Sequence, residues 1–276
     1  MTAQDHETET STGRDKRQGQ RRRPFANVSY NWMLPNMVTI CGLIAGLTGF
    51  RMALEGRWET ALALVMLAAV FDALDGRMAR LLRATSAFGA ALDSLTDAVV
   101  FGVVPALILY QWALADHGNI AWMTALFYAV CIILRLARFD SELPDKPEFA
   151  KGFFVGVPAP ASAGLVLLPI AAAQVFDYEF LRQAVPVSGW LMACGIAAIS
   201  TLPTFSGKTF RLPARSALPM LAAIGFAASL TVTVAWQVYI GCAFLYLLSI
   251  IFSVRQYRRR LQAEKVKAGS SERGDD

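Results

Sequence analysis

The apolar positions of this chain fall into long blocks. From Leu34 to Val254, stretches of predominantly apolar residues recur, separated by short polar or charged breaks. A helix needs roughly 20 such residues to cross the hydrocarbon core of a bilayer. The breaks predict eight spans, near 34–54, 58–82, 88–113, 120–138, 156–174, 186–203, 216–233 and 237–254. The last two are divided by length, since 216–254 is too long for one crossing and breaks only weakly near Trp236; six or seven spans is the alternative count. Phe25 to Trp32, with Tyr30 and Trp32, reads as a short interfacial helix. The predicted fold class is an all-α integral membrane protein. In lipid a helix satisfies its own backbone groups.

Composition supports that class. Hydrophobic residues make up 55% and charged residues 17%, against about 25% charged in soluble domains. The net charge of +5 is concentrated at the two ends of the chain. On a membrane-spanning chain such clusters set orientation and meet anionic headgroups of membrane lipids, so no nucleic acid is expected as a partner. With the N-terminus inside, every Lys and Arg except Arg51, Arg57 and Arg182 falls on the cytoplasmic side. Both termini are therefore expected in the cytoplasm. The implied organisation is a disordered basic tail at 1–26, a membrane domain at 27–254 and a basic tail at 255–276. Cys41, Cys131, Cys194 and Cys242 sit singly in apolar runs and suggest neither a disulfide framework nor zinc. The first residues lack a signal-peptide layout.

Against this background four carboxylates stand out: Asp72, Asp75, Asp93 and Asp97. An ionisable group at bilayer depth is costly, and one alone could be a satisfied structural residue. Four within so short a stretch point to a site. Asp72 and Asp75 are i and i+3, Asp93 and Asp97 are i and i+4, so each pair shares a helical face. The stretch Leu81 to Ala87 suits a turn at the cytoplasmic surface, which would set the two faces against each other. Four clustered negative charges repel unless cations lie between them. Oxygen-only ligands favour Mg²⁺ or Mn²⁺, and two such ions suit phosphoryl displacement. Gly76, Ala79 and Gly89 are small where a ligand or helix must approach. Arg80 offers a fork for phosphate oxygens.

The pattern Asp72-Ala-Leu-Asp75-Gly76-Arg-Met-Ala79-Arg80, then Gly89, Asp93 and Asp97, resembles the signature of the CDP-alcohol phosphatidyltransferases at every fixed position. The resemblance implies that Asp72, Asp75 and Asp93 ligate metal. Asp97 would complete a second metal site and act as general base. Gly76 and Arg80 would hold the head of CDP-diacylglycerol, and Ser86 would contact the nucleotide. Asn36 and Thr39 match the start of the family's first span; they either border the nucleotide pocket or serve as a helix cap and a backbone back-bond. A six-helix core, here with two further helices, and a homodimer are expected on the same ground.

The signature does not choose the acceptor alcohol. Leu34 to Gly42, Phe88 to Ser94, Val99 to Pro105, Arg135 to Phe139, Gly152 to Pro160 and Pro203 to Lys208 resemble the bacterial branch that makes phosphatidylserine, although Asp140 stands where Asn is expected. That likeness implies L-serine as acceptor and an inner-membrane enzyme with a cytoplasmic site. Serine brings a carboxylate, for which Arg135, Arg138 and Lys151 are candidate partners, or else ordinary positive-inside residues. The run Gly156-Val-Pro158-Ala-Pro160 breaks or kinks a helix and could wall the pocket. Two other readings stay open: a sister transferase using glycerol 3-phosphate, inositol or its phosphate, or choline; and a cation transporter with an acidic membrane site. A transporter is expected to place its acidic groups near mid-membrane between repeated halves, and no repeat is visible here.

Overall fold

A computed structural model describes residues 33–141, 153–176, 178–200, 203–205 and 234–271. Its helices are α1 (Met33–Leu54), α2 (Trp58–Leu81), α3 (Ala87–Asp97), α4 (Val104–Ala113), α5 (Gly118–Ser141), α6 (Ala159–Val166), α7 (Leu168–Val175), α8 (Ala184–Ile199) and α9 (Ala235–Ser271). A π-helical turn, Ala98–Val103, joins α3 to α4 as one continuous span. Among the described residues four spans are long and apolar enough to cross a membrane: Met33–Leu54, Ala87–Ala113, Gly118–Arg138 and Ala235–Gln256. The second predicted span forms as α2, whose apolar run is interrupted by Asp72, Asp75, Arg77 and Arg80. The seventh predicted span and the N-terminal tail lie outside the described residues.

Small residues decide how α1 packs. Gly42, Ala45, Gly46, Gly49 and Ala53 are buried along it at helical spacing. A Cβ on Gly49 would lie 3.1 Å from the Ala61 carbonyl oxygen, and one on Gly46 would lie 2.9 Å from Cγ2 of Val100. These helices approach as closely as glycine permits, a recurrent way of joining helices in lipid. Gly56, at φ +74°, makes the turn from α1 to α2.

The second turn is less usual. The Ala84 N–H donates to the Ala79 carbonyl at 2.9 Å, and the Arg83 N–H to the Arg80 carbonyl at 3.3 Å. This is the pair of bonds that closes a helix with a left-handed residue, normally glycine. Here that residue is Arg83, at φ 51°. Ser86 then caps α3, its Oγ accepting from the Gly89 N–H at 2.9 Å. The chain thus reverses within Leu82 to Ser86, inside the stretch where sequence predicts a turn.

The π turn lies where Pro105 and a side chain of another helix meet. Pro105 carries no N–H and cannot bond the Phe101 carbonyl one turn back. The orphaned carbonyl accepts instead from Oη of Tyr128 on α5, at 3.0 Å, and Ser162 Oγ lies 3.3 Å from the same hydroxyl. Tyr128, Phe101, Ile132 and Leu109 form the centre of the buried core.

Three expectations shift. The fifth span is two helices, parted at Leu167 just before Pro169, and it begins at Ala159. The Gly156 to Pro160 run therefore starts a helix and does not kink one: Pro158 is its N-cap. Gly156 is fixed by a positive φ of 79° and by the Ala198 carbonyl oxygen, 2.7 Å from where a Cβ would stand. The fold is all-helical, as expected, but for one short strand pair: Phe153–Val155 pairs antiparallel with Pro203–Phe205, with Phe154 opposite Thr204, and helix α8 ends at Ile199, short of the predicted 203. Finally, the helix of the eighth span does not stop at 254: α9 runs without a break through residue 255 to Ser271, so the tail expected from 255 starts as a continuation of that helix.

Candidate active site

The end of α2 and the start of α3 bring the carboxylates together. One oxygen each from Asp72, Asp75 and Asp93 lies within 4.8 Å of the others. The Asp97 carboxyl lies beside that of Asp72. Two carboxyl groups at that range need a proton or a cation between them. All four line a chamber of about 10 Å³, together with Thr39, Thr96, Val100 and Phe101. That is room for about one water-sized guest. The Thr39 hydroxyl donates to Oδ2 of Asp75 at 2.6 Å and lies 3.1 Å from the Pro35 carbonyl oxygen. It thus touches the cluster as well as its own helix.

Thr96 carried no weight in the sequence. It is 7% exposed, and its Oγ1 has no hydrogen-bond partner among the described residues. A buried hydroxyl left unmet beside four carboxylates suits a bare cation coordinated directly by the chain. Hard oxygen donors of this kind fit Mg²⁺ or Mn²⁺ and disfavour zinc. The only textual signal for Thr96 was a polar residue adjoining Asp97.

Beside the chamber opens a cleft of about 340 Å³. Asn36, Thr39, Gly76, Arg80, Ser86 and Gly89 all line it, with Asp75 and Asp93 shared between the two spaces. The two glycines differ. A Cβ on Gly76 would meet no atom of the described residues within 4 Å, so the space above it is open to the cleft. A Cβ on Gly89 would lie 2.9 Å from Oδ1 of Asn36 and 3.1 Å from Oγ of Ser86. Gly89 therefore lets α1 and α3 close on each other. Asn36 is buried, yet its Nδ2 has no partner among the described residues. Arg80 is anchored through Nε to the Gly76 carbonyl at 2.9 Å.

The acceptor-side candidates separate. Arg135 on α5 is within electrostatic reach of Asp97. Arg138 is exposed and lines neither cavity. Lys151 lies outside the described residues. Tyr246 on α9, which no motif marked, neighbours Arg135.

A helical membrane fold with an acidic cluster beside a cleft defines a class of enzyme that handles anionic lipid heads. Residues 32–202 match the CDP-alcohol phosphatidyltransferase family. The chain belongs to that family. It is 36% identical over 236 residues to the CDP-diacylglycerol–serine O-phosphatidyltransferase of Mycobacterium tuberculosis, covering 85% of this chain and 82% of the relative. It is 37% identical over 179 residues to the enzyme of the same name from Methanocaldococcus jannaschii, covering 64% of this chain and 77% of the relative. Among solved structures it is similar to the apo form of Mycobacterium tuberculosis phosphatidylinositol phosphate synthase, at 25% identity and a TM-score of 0.43, covering 60% of this chain and 83% of that one.

Proposed function

We propose that this chain transfers the phosphatidyl group of CDP-diacylglycerol to the hydroxyl of L-serine and releases CMP. The observation that carries the transfer chemistry is the convergence of Asp72, Asp75 and Asp93 within 4.8 Å beside the cleft. The choice of serine is supported by the relatives' activity.

Asp72, Asp75, Asp93 and Asp97 would hold Mg²⁺ or Mn²⁺, most simply two ions. When bound, the metal supplies a Lewis acid that neutralises the diphosphate and the departing CMP. The residues of the chain do the rest. Arg80, with the open face of Gly76, seats the diphosphate, while Asn36 and Ser86 border the nucleotide. Asp97 accepts the proton of the serine hydroxyl. The serine oxygen bonds to the phosphorus that bears the lipid as the bond from that phosphorus to the CMP oxygen breaks. No covalent enzyme intermediate is needed. Eight spans with both ends in the cytoplasm, an inner-membrane location, a cytoplasm-facing site, a homodimer and the tails at 1–26 and 255–276 complete the proposal.

The test offers purified protein CDP-diacylglycerol with labelled serine, glycerol 3-phosphate, inositol or choline. Label from serine alone should enter lipid, and EDTA should stop it until Mg²⁺ or Mn²⁺ is returned. Transfer to another alcohol in place of serine would make the chain a sister transferase; no transfer at all would remove the enzymatic reading.

A further inference from the structure

Between α5 and α9, beside Asp97, lies a polar site outside the family signature. Arg135 is half-buried, and its Nε has no hydrogen-bond partner among the described residues. Tyr246 matches it from α9: its Oη is buried and equally unpartnered. Tyr246, Asp97 and Tyr128 are the ionisable neighbours of Arg135. The orientation of α9 is fixed by other contacts. Tyr239, two turns before Tyr246 on the same face, donates its hydroxyl to the Gly164 carbonyl, and Ser253, two turns after, is buried. Tyr246 is thus held facing the bundle.

A guanidinium N–H and a phenol oxygen can satisfy each other, and a buried group left unmet is costly. Here they are neighbours and do not pair. This arrangement fits a guest that brings its own acceptor oxygens. We infer that Arg135 and Tyr246 together bind the carboxylate of the acceptor, with Tyr246 a specificity-determining residue. Nε and a terminal nitrogen of Arg135 form the fork that carboxylates prefer. The Tyr246 hydroxyl donates a further hydrogen bond. One guanidinium and one neutral hydroxyl match a single negative charge. An amino acid as short as serine, anchored there, keeps its hydroxyl near Asp97. Tyr246 also lies outside the family-matched residues 32–202, as suits a residue that selects the acceptor and takes no part in the shared chemistry.

This inference rests on serine being the acceptor, and the experiment separates the two. Wild type and Tyr246→Phe are assayed with L-serine and with L-serinamide, which has a neutral amide for the carboxylate. The variant should raise the KM for serine roughly tenfold or more. The KM for CDP-diacylglycerol should move by less than about twofold, and serinamide, whose amide offers only a neutral acceptor, should lose several-fold less than serine does. Arg135→Lys, which keeps the charge and loses the fork, carries the same expectation should Tyr246→Phe fail to fold. Unchanged KM for serine, or equal losses on serine and serinamide, would overturn the pocket while leaving serine as substrate. Failure of the wild type to use serine would remove the proposed function itself.

Discussion

At the scale of single residues, the site divides by what each side chain lacks. Asp97 lies against a second carboxyl group, and the near-isosteric amide of asparagine fills the same place without the repulsion between two carboxylates. Asp97→Asn should bind CDP-diacylglycerol normally and lose about 10²–10⁴-fold in turnover, the usual contribution of a general base; activity near wild type would remove the assignment. The glycines give a sharper contrast. Gly76→Ala adds a methyl that meets no protein atom, so thermal stability should hold or rise while the KM for CDP-diacylglycerol climbs. Gly89→Ala presses on Asn36 and Ser86 and should lower both stability and activity. Equal melting temperatures for the two variants would contradict the geometry. The aspartates were legible in the sequence because charge is conspicuous in an apolar run and because their spacing fixes a face. Thr96 and Tyr246 were not. Each is a single polar residue on a helix, and only the folded arrangement shows that its hydroxyl meets no partner among the described residues.

At the scale of elements, helix existence was legible and helix detail was not. Apolar run length predicted α1, α2 and α5 closely. It could not reveal that the third span carries a π turn, because that turn depends on a partner elsewhere: Tyr128 takes up the carbonyl that Pro105 abandons. Tyr128→Phe should therefore destabilise the protein by about 1–3 kcal/mol, the cost of an unmet buried acceptor, read as a lower unfolding temperature in detergent. An unaltered melting curve would show that the π turn stands without this bond. The break at Leu167 had a sequence cue in Pro169, but the denser prolines at 158 and 160 drew the expectation upstream. Proline at the first helical positions starts a helix as readily as proline inside one interrupts it. Arg83 shows the same limit, since nothing in its side chain announces a left-handed backbone.

At the scale of the whole molecule, charge asymmetry is the evidence for orientation. It sets Arg51, Arg57 and Arg182 apart from all other Lys and Arg. Single cysteines placed at Glu55 and at Thr85 in a cysteine-free background should report this. A membrane-impermeant maleimide should label the Glu55→Cys protein in intact cells and the Thr85→Cys protein only after permeabilisation; the reverse pattern would invert the topology. Among the described residues four helices are long and apolar enough to span; of the eight that sequence suggests, the seventh lies outside those residues, and α2 spends its apolar length on charged residues. Those charged residues carry a consequence for how the bundle coheres. With Asp72 and Asp75 on one helix and Asp93 and Asp97 on the next, the α2–α3 hairpin would be a spring that electrostatics pushes open and that a bound ion would hold shut. Whatever occupies the chamber is then a rivet of the architecture as well as a reagent, and the protein's cohesion will follow the concentration of free divalent cation around it.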